Sequence, residues 1–185
     1  RHPELSYEEY RTTDRIVELL SGYGLSPVRM ESTGAYVDVG EGPVVLALRA
    51  DIDALPVEEE TGLPYVSVND GVAHACGHDI HTTALMSMCD VLDHTREHWS
   101  GTFIALFQPG EEIGAGAQDM ADNGLTAKVP TPDVVFGQHV MPGRAGEVMS
   151  KPGPQFAACD SIRIRIPGRA AHGSMPHNSV DPTYT

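Results

Sequence analysis

Three short apolar runs constrain this chain more than any other feature. Residues 44–48, 102–107 and 134–136 carry almost nothing but aliphatic and aromatic side chains. A strand exposed on one face alternates apolar and polar residues, whereas a strand covered on both faces is apolar throughout. The first run continues into Arg49-Ala50-Asp51-Ile52-Asp53. The second ends at Gln108-Pro109-Gly110 and is followed directly by Glu111-Glu112. The third ends at Gly137-Gln138-His139. Between the runs the period becomes helical. Residues 81–94 carry Leu85, Met86, Met88, Val91 and Leu92 at helical spacing, and residues 115–123 read as a second helix stopped by Gly124. Strands alternating with helices predict an α/β fold with a sheet covered on both faces.

Further elements follow from local signals. Ser6-Tyr7-Glu8-Glu9 has the spacing of a capping box, with Ser6 capping a helix and Glu9 reaching back to it. Tyr10, Ile16, Leu19, Leu20 and Tyr23 then continue at near-helical spacing, and Gly22 or Gly24 would end the helix. Val37 to Val39 and Val44 to Leu48 flank Gly40-Glu41-Gly42-Pro43, which predicts a β-hairpin. Near Cys159 the pattern changes. Ser161-Ile162-Arg163-Ile164-Arg165-Ile166 alternates strictly, as a half-exposed strand would. The expected division is a catalytic domain over 1–159 and the beginning of a second, lid-like domain over 160–185.

Bulk properties narrow the partners. A formal net charge of −14 argues against nucleic acid and against an anionic membrane surface. No apolar run approaches the ~18 residues that cross a bilayer. Cys76, Cys89 and Cys159 make an odd count without a CxxC pair, which favours a reduced, cytoplasmic protein over a disulfide framework. The chain opens on Arg1-His2-Pro3 and stops at Tyr184-Thr185, so it is read as a fragment at both ends.

The chemistry concentrates in the segments that follow the strands. His74, Cys76, His78, Asp79 and His81 crowd one short stretch around Gly77. Thiolate and neutral imidazole are good ligands for borderline metals. The competing reading is a polar helix N-terminus with Asp79 near its cap. Glu111 and Glu112 repel each other unless a cation neutralises one. The other could then act as a base toward water that the cation has acidified. An acidic helix start is the alternative there. His139 has weight only beside the other segments. Asp53 is expected to hold a ligating histidine in place. Glu58-Glu59-Glu60 reads as a solvated acidic turn, and Cys89 as core.

These motifs, in this order, resemble the metal-dependent amidohydrolases that include hippurate hydrolase, N-acyl-L-amino acid amidohydrolase and the indole-acetyl-amino acid hydrolases. More distantly they resemble acetylornithine deacetylase and glutamate carboxypeptidase. The resemblance runs from Arg1-His2-Pro3-Glu4-Leu5-Ser6-Tyr7-Glu8-Glu9 through Arg49 to Pro56, Glu59 to Tyr65, His74 to Thr82 and Phe107 to Glu112, and on to His172 to His177. A cysteine within the HACGHD segment is particular to this branch, while Gly110 stands where the family usually has alanine.

The resemblance implies a zinc-peptidase-like catalytic domain with a central mixed sheet flanked by helices, plus the start of an α+β lid or dimerisation domain. It implies two divalent metal ions per site, zinc or manganese with cobalt or nickel also admitted. Cys76, His78, Glu112 and His139 would be ligands and Glu111 the general base. Asp53 would orient a ligand. His172 would help hold the substrate carboxylate or the oxyanion. A last metal-binding histidine is expected downstream of Thr185. The implied activity is amide hydrolysis of N-acyl or N-aroyl amino acids, in a homodimer or higher homo-oligomer formed through the lid. A metallo-aminoacylase or carboxypeptidase, a deacylase of a biosynthetic intermediate, and a catalytically silent truncated homologue are the alternatives.

Overall fold

The run at 102–107 becomes the middle of the sheet. In the computed structural model, which describes residues 1–156 and 162–184, strand β4 (Thr102–Gln108) lies between β2 (Ala35–Val39) and β3 (Val45–Asp51). The order is β1-β2-β4-β3-β5, with β1 at Val28–Arg29 and β5 at Val134–Gly137. β3 runs parallel to both β4 and β5, while β2 is antiparallel to β4 and to β1. The sheet is therefore mixed, as the resemblance implies.

Helices cover both faces. Alternate residues of β4 point opposite ways, and each set finds its own layer. Phe103, Ala105 and Phe107 pack with Val37, Val39, Ala50 and Ile52 against Ile16 and Leu20 of α1 (Tyr10–Gly22) and Leu85 and Cys89 of α2 (His78–His94). Ile104 packs with Val45 and Ala47 on the other side. There Met30, Tyr36 and Leu106 meet Met120 of α3 (Gly116–Asp122) and Leu125 of α4 (Leu125–Lys128). Full burial of a side chain such as Phe107 or Leu85 contributes about 1.5–3 kcal/mol, so this two-sided core is what orders the strand ends.

Several expectations are corrected. The hairpin across 40–43 does not form, because β4 inserts between β2 and β3 and pairs with both. The connection crosses the start of β4 instead, where the Thr102 N–H donates to the Val44 carbonyl at 2.8 Å. The expected capping box is also absent. α1 has no side-chain cap from Ser6 or Glu9. Its first-turn amides, those of Arg11 and Thr12, donate to the Glu4 carboxylate at 3.1 and 2.7 Å. β5 is apolar but not buried. It is paired on one side to β3, and Val134, Val135 and Phe136 are exposed. Glu58 and Glu59 accept the N–H groups of Gly71 and Ser67, so this acidic stretch ties its own loop together.

By contact the chain divides into two compact units, Arg1–Pro142 and Gly143–Thr185. The expected boundary at 159/160, Cys159 and Ser161 lie outside the described residues. The described remainder of the alternating segment, 162–166, forms no strand, and Ile162 and Ile164 are exposed. Alternation marks a segment suited to a sheet face, but a ladder also needs a partner strand. Among the described residues of the second unit are a 3₁₀ turn at Pro176–Asn178 and an antiparallel bridge between Arg169 and Val180.

Candidate metal centre

Parallel strands deliver their carboxyl ends to one side of a sheet, where α/β proteins bind ligands. β3 ends in Asp51 and leads to Asp53. β4 leads to Glu111 and Glu112. β5 leads to His139. The N-terminus of α2 brings His78 and His81 to the same place, and Gly77 precedes it with φ of 81°. A Cβ on Gly77 would stand 2.4 Å from Val140 Cγ2, so the left-handed turn and the close approach both require glycine.

His78 is fully buried. Its Nδ1–H faces the Asp53 carbonyl at 2.9 Å and the Asp53 Oδ1 at 3.2 Å, which leaves a lone pair on Nε2. That Nε2 has no hydrogen-bond partner among the described residues, and neither has Glu112 Oε1, 3.8 Å away. Glu111 Oε2 is also 3.8 Å from His78 Nε2. On the other side Cys76 Sγ lies 3.2 Å from His139 Nε2, whose Nδ1–H donates to the Val140 carbonyl at 2.6 Å.

Three groupings, Cys76-His78-His139, Asp51-His78-His81 and His78-Glu111-Glu112, each hold their ligand atoms within 4.8 Å of one another, and all share His78. The separations of 3.2 Å between Cys76 and His139 and 3.8 Å from His78 to each glutamate are what two donors of one ion show when each bond is about 2.0–2.3 Å. Buried polar atoms without partners are costly. A thiol, two imidazole lone pairs and two carboxylates converging on such atoms therefore fit a divalent cation.

The electrostatics agree. Burial, followed by Glu112, Glu111 and Asp51, pushes the Cys76 thiol up to about 11. A nearby cation would reverse that bias. Burial and the Asp51 charge raise the Glu111 carboxyl above its ordinary range, against the opposing pull of His78 and Arg49. Asp53 behaves oppositely. Burial works to raise it, yet hydrogen bonds from His78, the Glu112 N–H and the Ser6 hydroxyl hold it below the usual carboxylate value.

The structure thus brings Asp53, Cys76, His78, Glu111, Glu112 and His139 together. His172 belongs to the second unit, where its Nδ1 accepts the Ser174 hydroxyl at 2.8 Å. Three further participants received no role from the sequence. His81 is buried beside His139, with ring centroids 4.6 Å apart, and its Nε2 accepts the Val140 N–H at 3.0 Å. Its spacing of three from His78 on one helix was the available signal. Burial, then the neighbouring His139 and His78, lowers His81 to about 4, so it is neutral near pH 7. Asp51 also lies near His78 and His81, and Arg49 grips it through two bonds of 2.7 and 2.5 Å. The same-face spacing of Arg49 and Asp51 on a strand made that pair legible.

The pattern of peptidase family M20/M25/M40 matches residues 47–181. The chain is 44% identical over 188 residues to the N-acetyl-L-cysteine deacetylase of Bacillus subtilis, covering 98% of this chain and 44% of that protein. It is 38% identical to the hippurate hydrolase of Campylobacter jejuni, covering 99% and 48% respectively. The crystal structure of a dinuclear metal-binding M20 peptidase from Bacillus subtilis superposes with a TM-score of 0.70 at 40% identity, over 76% of this chain and 40% of that one. The chain spans about half the length of the curated relatives it matches. Because the family pattern covers most of the sequence and the fold is shared at this level of identity, the chain belongs to peptidase family M20/M25/M40.

Proposed function

We propose that the protein containing this chain is a two-metal hydrolase that cleaves the amide bond of N-acyl or N-aroyl amino acids, releasing a carboxylic acid and a free amino acid. The observation that carries this reading is the pair of buried, unpartnered atoms His78 Nε2 and Glu112 Oε1, 3.8 Å apart beside Glu111. Cys76, His78, Glu112 and His139 are the residues of this chain that hold the metal. Thiolate with imidazole suits zinc, and the carboxylates also admit manganese, cobalt or nickel. A divalent ion bound there polarises an amide carbonyl and acidifies water.

Each remaining role belongs to a side chain. Glu111 is partly exposed, so an incoming water can reach it, and its raised proton affinity suits a base that must also return the proton. It takes the proton of the attacking water and delivers it to the departing amine nitrogen. Asp53 fixes the ring of His78 through Nδ1 and so aims Nε2. The family resemblance gives His172 the role of holding the substrate carboxylate or the developing oxyanion. The names of the Bacillus and Campylobacter relatives support acetyl and benzoyl amides as first substrates. The two cysteines among the described residues are free thiols, which supports a reducing, cytoplasmic setting. Assembly into a homodimer or larger oligomer through a lid domain completes the reading.

The test is hydrolysis of a panel of N-acyl amino acids by the full-length protein, after chelation and after adding back each metal. Activity should vanish on chelation and return with one of the four ions. Hydrolysis indifferent to chelation, or undiminished in Glu111→Ala, would overturn the mechanism. A protein that binds no divalent ion with its four ligands intact would be a silent homologue.

A further inference from the structure

The segment resembling a capping box caps no helix, and the side chains at its two capping positions, Ser6 and Glu9, go elsewhere. The Ser6 hydroxyl donates to Asp53 Oδ2 at 2.7 Å. The Glu9 carboxylate is fully buried. It accepts the Gly110 N–H at 2.9 Å and the Thr33 hydroxyl at 2.6 Å. One contact ends on a residue of the candidate centre and the other on the residue before its acidic pair. Asp53 Oδ2 also accepts the Glu112 N–H at 2.9 Å, and Asp53 Oδ1 faces His78 Nδ1. Gly110 immediately precedes Glu111-Glu112 and has φ of 57°.

The backbone between Ser6 and Glu9 is strained to make this possible. The Glu8 N–H donates to the Leu5 carbonyl at 2.8 Å, closing a four-residue turn. Its third residue is Tyr7, with φ of 64°, the one non-glycine residue with positive φ among those described. Turns of this kind usually place glycine there. Strained residues persist where surrounding contacts over-determine them, and they cluster at functional sites. The turn is anchored by the Ala54 N–H donating to the Glu4 carbonyl at 2.8 Å, one residue beyond Asp53.

We propose that Ser6 and Glu9 are positioning residues for the metal centre: Ser6 fixes the carboxylate plane of Asp53, and Glu9 fixes the backbone that presents Glu111 and Glu112. The proposal rests on the metal reading above. Asp53 offers two oxygens to three donors from different parts of the chain. With the Ser6 bond in place, Oδ2 is held by two donors and Oδ1 is turned to His78. Without it, the carboxylate can rotate about its last torsion, which is broad for aspartate, and the aim of His78 Nε2 loosens. Glu9 acts in the same way on the loop. Its carboxylate spans the start of α1 and the Gly110 amide, so the acidic pair is tied to the helix.

The experiment is cobalt titration of the metal-stripped full-length protein. It follows affinity and the visible and thiolate charge-transfer absorption, with thermal unfolding of each metal-free variant alongside. Ser6→Ala should weaken cobalt binding by about tenfold to a hundredfold, as loss of a bond behind a metal ligand does, and should alter the visible band. Ser6→Thr keeps the hydroxyl and should restore both. Glu9→Gln can still accept the Gly110 N–H and should bind cobalt nearly as the parent does, whereas Glu9→Met should not. Parent-like affinity and spectrum in Ser6→Ala, or failure of Ser6→Thr to restore them, would overturn the proposal while leaving the metal reading intact. Affinity losses that merely follow lowered thermal stability would overturn it too. A parent protein that binds no cobalt would sink the metal reading itself, and this proposal with it.

Discussion

Cys76 Sγ lies 3.2 Å from His139 Nε2, although one residue sits before α2 and the other after β5. Without an ion the thiol donates to that nitrogen, and a bound ion takes both atoms as ligands. Cys76→Ala should therefore weaken zinc binding beyond the roughly 10–100-fold that follows loss of an outer hydrogen bond to a ligand. Cys76→Asp should keep measurable affinity, since a carboxylate also ligates zinc, but its cobalt form should lack the thiolate charge-transfer absorption. Equilibrium dialysis and near-ultraviolet spectra check both outcomes.

Glu111 is half-shielded, 3.9 Å from Arg49 Nη2 and 3.8 Å from His78 Nε2. Glu111→Gln preserves its size and removes its basicity. Turnover of N-acyl amino acids should fall by about 10²–10⁴-fold, the usual worth of a general base. Metal content, measured by elemental analysis, should be unchanged. Loss of metal in this variant would make Glu111 a ligand instead.

Asp53→Ala removes the acceptor for the Ser6 hydroxyl and the Glu112 N–H, while His78 Nδ1 keeps the Asp53 carbonyl. A stranded donor that is fully buried costs about 1–3 kcal/mol, and these two are partly buried. Urea unfolding of the metal-free protein should show a loss of about 1–3 kcal/mol in all. An unchanged midpoint would mean that these donors find water.

Gly77→Ala should cost about 1–2 kcal/mol for the left-handed backbone alone. The new methyl would also stand 2.4 Å from Val140 Cγ2, and Val140 holds His81 through its N–H. Unfolding and metal affinity should therefore fall together. A variant that loses stability but binds metal as the parent does would show that the Val140 loop adjusts freely.

Much of the site was legible because its residues are local to strand ends. Glu111 and Glu112 follow an apolar run that reads as a strand, and Asp53 follows another. The misreadings share one cause. The hairpin across 40–43 and the capping box at 6–9 were both judged from near neighbours. In each case the true partners were remote. β4 displaced the hairpin pairing, and Asp53 and Gly110 drew the side chains of Ser6 and Glu9 away from the helix. β5 shows the converse, since an apolar run resembles a buried strand even where it forms a sheet edge.

By itself the sequence determined the α/β class, the short apolar strands, the order of the ligand-bearing segments and the family. Periodicity and turn chemistry are properties of adjacent residues, and motif order survives without coordinates. Only the tertiary structure decided that β4 separates β2 from β3, that His81 and Asp51 crowd the same site as His78, and that Ser6 reaches Asp53. Those outcomes depend on which strand wins each pairing and which donor wins each carboxylate. That competition is among residues far apart in the chain, and only the folded packing resolves it.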